Sequence, residues 1–324
     1  MPIRCTTCRR LLQGLGGGLL APRALAQSTY PSRPIRLVVG FGAGGIADTI
    51  ARTLGVRFSE RLGQPVIVDN RPGAGGALAA RLVSPAQPDG YTVLVTTAAI
   101  SVNANAAREA IEAGVNLTPI INAAETPSIF AVHGSNASKG MMDFARAARS
   151  GRFTFGTAGI GTTEHLMSEF IFKAVPDVEA THVPFASGLA ASSAVVAQQV
   201  DMTVTAIPTV FGQIESNTLR VLAVSSKARM PLLPEVQTLR EAGFADFERT
   251  TWIGVFGPPK LPAAIAGRIN DELNHVLRLP DVRDRLVRLG FDPRSGTQRA
   301  FADYVKTEVD KWGVVIRSTG IKPA

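Results

Sequence analysis

Short runs of β-branched residues alternate with stretches of helical periodicity along most of the chain. The apolar runs RLVV, PVIVDN and YTVLVTT are separated by DTIARTLGVRFSERL and ALAARLV, in which apolar residues recur every three to four positions. Strands that alternate with helices in this way predict parallel βαβ units. A second series starts near Phe130, with the strand-like runs RFTFGTAG, THVPF, DMTVTAI and LRVLAVSS. The pattern therefore predicts an α/β protein with two such units.

The last part of the chain predicts one further strand and three helices. TTWIGVFGPP is strand-like, and PAAIAGRINDELNHVL places Ile265, Ile269 and Leu273 on one helical face, with Pro262 at the helix start. PDVRDRLVRLG and QRAFADYVKTEVDKWGVVIRS are also amphipathic. We expect these helices to be scaffold packed across the first unit. No apolar run after residue 27 is long enough to span a membrane.

The order of these elements predicts two lobes that enclose a cleft. The 324 residues, of which 45% are hydrophobic, suffice for two buried cores. We expect residues 27–125 with 226–324 to form lobe 1 and residues 126–225 to form lobe 2, each a mostly parallel sheet flanked by helices. Ligands of open α/β sheets bind beyond the carboxyl ends of strands, where loops lead into helices. The loops predicted to face the cleft are 40–48, 70–76 and 96–101 in lobe 1, and 157–165, 185–188 and 205–208 in lobe 2.

Residues 1–26 have the three-part pattern of a secretory signal peptide. Arg4, Arg9 and Arg10 precede a short apolar run, and Ala24-Leu25-Ala26 forms an A-x-A cleavage site. Cleavage near Ala26 predicts a periplasmic protein. A disordered basic tail and an organellar transit peptide are the alternatives, and a lone arginine pair does not distinguish Sec from Tat export.

Composition narrows the classes of ligand and partner. Both cysteines, Cys5 and Cys8, lie in the leader, and two thiols without further ligands do not complete a zinc site. The four arginines of the leader account for half of the formal charge of +8. The remaining basic residues are scattered without interleaved aromatics, which argues against nucleic acid and suits a small anion. We expect no cofactor and no metal. We also expect a monomer, since one chain supplies both lobes of the cleft.

A glycine-rich loop follows the first predicted strand. In VVGFGAGGIADTIAR, Gly40, Gly42 and Gly45 have G-x-G-x-x-G spacing, and Asp69 lies about where a ribose-binding carboxylate is expected. Glycines let the backbone approach a ligand, and the following helix N-terminus favours any anion. The loop therefore suits a nicotinamide pyrophosphate or another anion. An NAD-dependent oxidoreductase is one hypothesis, although no acid, base or nucleophile set accompanies the motif.

Six stretches resemble the Bug family, the periplasmic solute-binding proteins of tripartite tricarboxylate transporters. They are YPSRPIRLVVGFGAGGIADTIAR, LGQPVIVDNRPGAGG, PDGYTVLV, GTAGIGTTEHL, LRVLAVSSKARMPLLPEVQTLREAG and TTWIGVFGPPKLP, in family order. The chain departs from the family at Gly40 and Gly42, where prolines usually flank the phenylalanine of the first loop.

The resemblance implies a two-lobed, type II-like binding-protein fold. The loop after the first strand and the TAGIGTTEH loop of lobe 2 would hold a carboxylate between them, often through ordered waters. The implied ligand is a dicarboxylate, tricarboxylate, aromatic acid or acidic amino acid, delivered to membrane permease subunits. A protein that passes the same solutes to a signalling receptor is an alternative.

A carboxylate that leaves water needs several donors to replace its hydration. We expect the N–H groups of Ala43, Gly44 and Gly45, at a helix start, to supply some of them. Thr157, Thr162 and Thr163 offer hydroxyls that either contact the ligand or cap the next helix. The full set expected at the site is Phe41, Gly42, Ala43, Gly44, Gly45, Thr97, Thr157, Ala158, Gly161, Thr162, Thr163, His165, Phe185, Ser187 and Thr205.

Three charged or titratable residues near these loops have other expected roles. His165 is expected to orient its loop or pack rather than act as a base, because no nucleophile accompanies it. Asp48 lies in a first helical turn, where an acid favours the helix dipole and would repel a bound anion, so we expect a structural role. Arg71 is expected to pair with a surface acid.

Overall fold

The computed structural model describes residues 30–105, 116–148, 152–173, 175–244 and 250–319. Residues Pro31–Ala324 belong to one compact unit. The predicted leader and its cleavage site lie outside the described residues. None of the helices in the described ranges combines the length and apolar character needed to cross a membrane.

The first sheet is built from the βαβ units that the sequence predicts. Its parallel strands are β1 (Ile35–Val39), β2 (Val66–Asn70) and β3 (Thr92–Thr97), with β1 in the centre. The connecting helices are α1 (Ile46–Leu62) and α2 (Ala77–Val83), and a short helix α3 (Ala99–Asn103) follows β3. Helix α1 ends at Gly63, whose φ of +65° is the left-handed conformation that glycine adopts without a side-chain clash.

The second sheet repeats this arrangement. Its parallel strands are β5 (Arg152–Thr157), β6 (Glu179–Pro184) and β7 (Met202–Ala206), and β8 (Leu219–Val224) follows them in the chain. The helices of this part are α4 (Met141–Ala148), α5 (Thr163–Lys173), α6 (Gly188–Val196) and α7 (Ile207–Glu215). A cluster of buried rings, with Phe130, Phe155 and Phe172 among them, fills its core.

One long strand, β4 (Thr118–His133), belongs to both sheets. Residues 118–127 pair antiparallel with β9 (Thr250–Gly257), and residues 128–133 pair antiparallel with β7 and β8. The sequence pattern predicts no strand over this stretch, because Pro119, Pro127 and polar residues interrupt it. Each sheet is therefore mixed: β9 runs antiparallel to β1–β3 in the first sheet, β4 runs antiparallel to β5–β7 in the second, and β4 is the strand that both sheets share.

The C-terminal part adds α8 (Ala263–Arg278), α9 (Pro280–Arg288), the short strand β10 (Asp292–Pro293) and α10 (Gln298–Thr319). Phe301 of α10 packs on Trp252 in the core of the first sheet. Trp312, further along α10, packs with Val102 of α3 and Leu166 of α5. The last helix therefore contacts α5 of the second lobe as well as α3 and β9 of the first.

Candidate ligand-binding cleft

The loop after β1 meets the loop after β6 between the two lobes. The N–H of Gly42 donates to the carbonyl oxygen of Ala186 at 3.0 Å. Gly44 has a φ of +77°, and a Cβ added there would lie 2.6 Å from Cδ2 of Leu189 at the start of α6. The two lobes are thus in direct contact at this point, and a side chain at position 44 would require the Leu189 side chain to shift.

Loops of both lobes enclose an inner cavity of about 20 Å³. This volume holds about one water molecule, so an organic acid of several heavy atoms needs the loops to move apart. The residues that line it are Phe41, Gly45, Ile46 and Thr97 from lobe 1, and Ala158, Glu164, Ser187, Gly188, Val204, Thr205, Ala206 and Thr209 from lobe 2.

A larger outer cavity of about 420 Å³ adjoins the inner one and shares Ala158 with it. Gly40 and Ala186 of the outer wall directly precede Phe41 and Ser187 of the inner wall. Its size is in the range typical of small-molecule sites. The residues that line it are Gly40, Pro72, Gly73, Ala74, Gly75, Gly76, Ala158, Gly159, Ile160, Pro184, Phe185 and Ala186.

The predicted site residues divide into those that line a cavity and those that lie behind it. Phe41, Gly45, Thr97, Ala158, Ser187 and Thr205 line the inner cavity, and Phe185 lines the outer one. Gly42, Ala43, Gly44, Thr157, Gly161, Thr162, Thr163 and His165 belong to the same loops but line neither cavity.

Sequence reasoning missed six residues that line the inner cavity: Ile46, Glu164, Gly188, Val204, Ala206 and Thr209. All six lie within the loops predicted to face the cleft or one residue beyond them, so position along the chain was the available signal. At Gly188 the reason for glycine is a tertiary contact, because a Cβ there would collide with the side chain of Thr205 on β7.

Two of the three backbone N–H groups expected to face an anion are used inside the first loop. Gly44 N–H donates to Oδ2 of Asp48 at 3.0 Å, and Gly45 N–H donates to the carbonyl oxygen of Gly42 at 3.3 Å. The positive φ of Gly44 folds the loop back onto α1, which brings its N–H to the acid of the first helical turn. In this arrangement neither group is available to a ligand.

Asp48 is the centre of the network that shapes this loop. It is buried and accepts hydrogen bonds from Gly44 N–H, from Nδ2 of Asn70 at 2.9 Å and from Nε of Arg52 at 3.0 Å. Burial would raise the pKa of Asp48, but the hydrogen bonds from Arg52, Gly44 and Asn70 together outweigh it and lower that pKa. Asn70 also donates to the carbonyl oxygen of Phe41 at 3.0 Å. The negative charge of Asp48 is thus stabilised by hydrogen bonds from neighbouring protein groups.

The hydroxyls of Thr157 and Thr162 hold the loop after β5. Thr162 Oγ1 accepts from His165 N–H at 3.2 Å and donates to the carbonyl oxygen of Gly159 at 2.9 Å, which is a helix cap. Thr157 Oγ1 accepts from Gly159 N–H at 3.3 Å and lies 2.8 Å from Nε2 of His182. Both hydroxyls are therefore engaged in hydrogen bonds within this loop and with His182 of β6.

The stacked imidazoles of His165 and His182 pack against the same loop. The rings of His165 and His182 are 4.0 Å apart, and Gly161 N–H donates to Nδ1 of His165 at 3.4 Å. Burial lowers the pKa of His165 to about 4 and that of His182 to about 3. Both rings are neutral at pH 7, and His165 contacts the loop through a backbone hydrogen bond.

The inner cavity offers hydroxyls and one acid. Thr97 Oγ1 accepts from Ala99 N–H at 3.3 Å and Ser187 Oγ from Ala190 N–H at 3.2 Å, which leaves their O–H hydrogens to point elsewhere. Glu164 is the one ionisable residue of the described cavity wall. Burial raises the pKa of Glu164, against hydrogen bonds from its own N–H, from Thr163 and from Ser128.

Asp69, which would bind a ribose in a dinucleotide site, is paired with two arginines. Its carboxylate accepts from Nε of Arg36 at 2.8 Å and from Arg71 Nε, whose distance to Oδ1 is 3.0 Å. In the G-x-G-x-x-G loop, the carboxylate of Asp48 therefore takes the place beside the backbone N–H groups where a pyrophosphate would lie. Asp69 is engaged in salt bridges with Arg36 and Arg71.

A two-lobed α/β protein whose strand-end loops enclose a cavity between the lobes has the fold of a periplasmic solute-binding protein. The family follows from comparison with known sequences. The family described as "Tripartite tricarboxylate transporter family receptor" matches residues 50–321, and the chain belongs to it. This confirms the resemblance to the Bug proteins. It is a family of solute-binding receptors rather than of enzymes.

Three solved structures have the same fold at full length. The periplasmic binding protein BugD is 27% identical, with a TM-score of 0.84 over 90% of this chain and 99% of its own. MatC from Rhodopseudomonas palustris, with bound malate, is 29% identical, with a TM-score of 0.83 over 89% and 100%. Rpa4515 from R. palustris, with adipate, is 29% identical, with a TM-score of 0.85 over 91% and 100%.

Proposed function

We propose that this protein captures a carboxylate-bearing small molecule between its lobes in the periplasm and delivers it to the permease subunits of a tripartite tricarboxylate transporter. One observation carries the proposal: a cavity walled by loops from both lobes has hydroxyls from each lobe, Thr97 on one side and Ser187 and Thr205 on the other. Malate and adipate, bound by two proteins of the same fold, support this class of ligand.

The hydroxyls can replace the hydration that a carboxylate loses on entering the cleft. Hydrogen bonds to a charged group contribute about 1.5 to 3 kcal/mol each. Micromolar affinity corresponds to about 8 kcal/mol net. Three or four such bonds are therefore enough to give a binding free energy of this size after the entropic cost of ordering the loops. The available donors are Thr97, Ser187, Thr205 and Thr209.

Capture then requires the lobes to separate and close again. The inner cavity, about 20 Å³, admits no dicarboxylic acid in its present dimensions. The single strand β4 joins both sheets, and contacts such as Gly42 to Ala186 hold the loops together. A ligand that contacts both lobes favours the closed arrangement by the difference between its contacts in the two states.

Identification of the bound acid tests the proposal directly. Small molecules released from gently purified protein are analysed by mass spectrometry. Thermal-shift and calorimetric titrations then cover malate, adipate, citrate, benzoate and glutamate. We expect at least one acid to stabilise the protein and bind with a Kd of about 1 µM. Absence of binding by all five acids, which represent the four expected classes, would contradict the proposal.

A matched pair of variants locates the site. Thr205→Val removes a hydroxyl from the inner cavity and is expected to weaken binding about tenfold. Thr307→Val makes the same change on α10, where the hydroxyl donates to the carbonyl oxygen of Asp303, and is expected to leave binding unchanged. Uptake of the same acid by cells with and without the protein distinguishes transport from delivery to a signalling receptor.

A further inference from the structure

We propose that Glu164 makes capture of the acid proton-linked, so that the ligand carboxylate and the Glu164 carboxyl share one proton in the inner cavity. The inference rests on the proposed function and adds a residue that determines its pH dependence. A free carboxylate binds most tightly where Glu164 is neutral, and binding weakens as the pH rises.

The geometry places Glu164 where the ligand's charged end is expected. It lies in the first turn of α5, its side chain is only 7% exposed, and it lines the inner cavity together with Thr97 and Thr205. The other residues of the described wall are uncharged. An anion that enters this cavity therefore meets an acid and no basic side chain.

The ionisable groups on the surrounding elements are already paired or face other atoms. On α5, His165 contacts Gly161 and Glu169 lies 3.7 Å from Lys173. Further pairs on these elements are Asp48 with Arg52 on α1, Glu125 of β4 with Arg294, and Glu308 with Lys311 on α10, and His182 of β6 stacks on His165. Strands β7 and β9 and helices α3 and α6 contain no ionisable side chain.

Elementary electrostatics decides the protonation state of such a pair. Two carboxylates that share a poorly hydrated site do not both ionise, because each disfavours the charge of the other. Burial already raises the pKa of Glu164, and the groups that oppose this shift, Thr163, Ser128 and its own N–H, are neutral donors. An anion beside Glu164 raises that pKa further.

The proton balance is simple. The neutral Glu164 carboxyl donates its O–H to one oxygen of the ligand carboxylate, and the pair carries one net negative charge. Below the pKa of Glu164 in the free protein the proton is already present. Above that pKa it is taken from solvent on binding, and the association constant falls by up to about tenfold per pH unit.

The test uses the acid among malate, adipate, citrate, benzoate and glutamate that binds most tightly. Its Kd is measured calorimetrically from about pH 7.5 to pH 9 in buffers of different ionisation enthalpy, where the carboxyl groups of all five acids are ionised. For the native chain we expect proton uptake on binding and a Kd that rises with pH. Glu164→Gln keeps a neutral donor, so its Kd is expected to be constant and at least about tenfold lower than that of the native chain at pH 9.

Glu179→Gln is the control: it makes the same change at an exposed glutamate of β6 that pairs with Arg152 of β5, and it is expected to keep the native pH profile. A native Kd that is constant over this range with no proton uptake overturns the inference while the proposed function stands. Loss of binding in a folded Glu164→Gln also overturns it, because Glu164 would then be an anionic partner for an ammonium or hydroxyl group. If no acid binds the native chain, the proposed function itself fails. Absence of proton uptake by the native chain overturns the inference even if the variant does not fold.

Discussion

The N–H of Gly42 donates a 3.0 Å hydrogen bond to the carbonyl oxygen of Ala186, which joins the lobes across the cleft. Gly40 likewise uses its N–H, which donates to the carbonyl oxygen of Val95 at 3.2 Å. Proline, which has no N–H, could make neither bond. Both glycines therefore contribute hydrogen bonds that depend on their backbone N–H groups.

Gly42→Pro is expected to weaken ligand binding by removing the bond between the lobes. A neutral hydrogen bond contributes about 0.5 to 1.5 kcal/mol, so the predicted loss of affinity is about two- to tenfold. Gly42→Ala keeps the N–H, although its Cβ would lie 3.1 Å from the oxygen of Ala186, and is expected to lose less. Calorimetric Kd values for the two variants check this, and equal affinity of Gly42→Pro and the native chain contradicts it.

Gly44→Ala is expected to hinder closure of the lobes. Its Cβ would lie 2.6 Å from Leu189 Cδ2, and its φ of +77° is strained for any residue with a side chain. Gly63→Ala has similar strain at φ +65° with nothing within 4 Å, so it isolates the backbone cost of about 1 to 2 kcal/mol. We expect both to lower the free energy of unfolding and only Gly44→Ala to weaken binding, by about tenfold or more. Partial recovery in Gly44→Ala with Leu189→Ala would identify the collision as the cause.

Asp48→Asn is expected to destabilise the protein by about 1 to 3 kcal/mol at pH 7, because the charge that binds Arg52 and the Gly44 N–H is lost. The native pKa of Asp48 is lowered, so its contribution is present above the unfolded pKa of about 3.9 and is lost as the pH falls through the folded pKa. In urea unfolding, the free energy of unfolding of the native chain should therefore exceed that of the variant at pH 7, and the difference should disappear in acid. Asp143→Asn is the control, since Asp143 is exposed and accepts from Lys139 N–H at 3.3 Å. A gap independent of pH would contradict the assignment.

The stacked histidines predict a loss of stability on acidification. Their folded pKa values of about 4 and about 3 lie below the unfolded value, so the unfolded chain binds protons first and stability falls as the pH drops below about 6.5. Asn at position 165 can still accept from Gly161 N–H but does not titrate. In His165→Asn the urea concentration at the unfolding midpoint should therefore fall less with decreasing pH, between about pH 7 and pH 4.5, than in the native chain. His133→Asn, at the end of β4, should keep the native slope. Identical slopes for all three proteins would exclude this role of His165.

The loops that line the two cavities were predictable from the chain, but the side chains that face into them were not. The alternation of strands and helices predicted every loop that lines the two cavities, because the carboxyl ends of parallel strands meet at one edge of a sheet. Strand β4 escaped prediction, since Pro119 and Pro127 break its pattern and its pairing comes from β7, β8 and β9, which lie far away in sequence. Backbone pairing with distant strands overrides local propensity there.

The sequence by itself determined the α/β class, the family and the segments that form the cleft, because these depend on local periodicity and on motifs of contiguous residues. Only the tertiary structure decided which side chains reach the cavity. Successive residues of a helix point about 100° apart, so packing of Leu166 against Val102 and Trp312 sets the rotation of α5 that turns Glu164, rather than Thr163 or His165, towards the cavity. The fold of the first loop likewise turns the N–H of Gly44 to Asp48, since a buried carboxylate needs the nearest available donors.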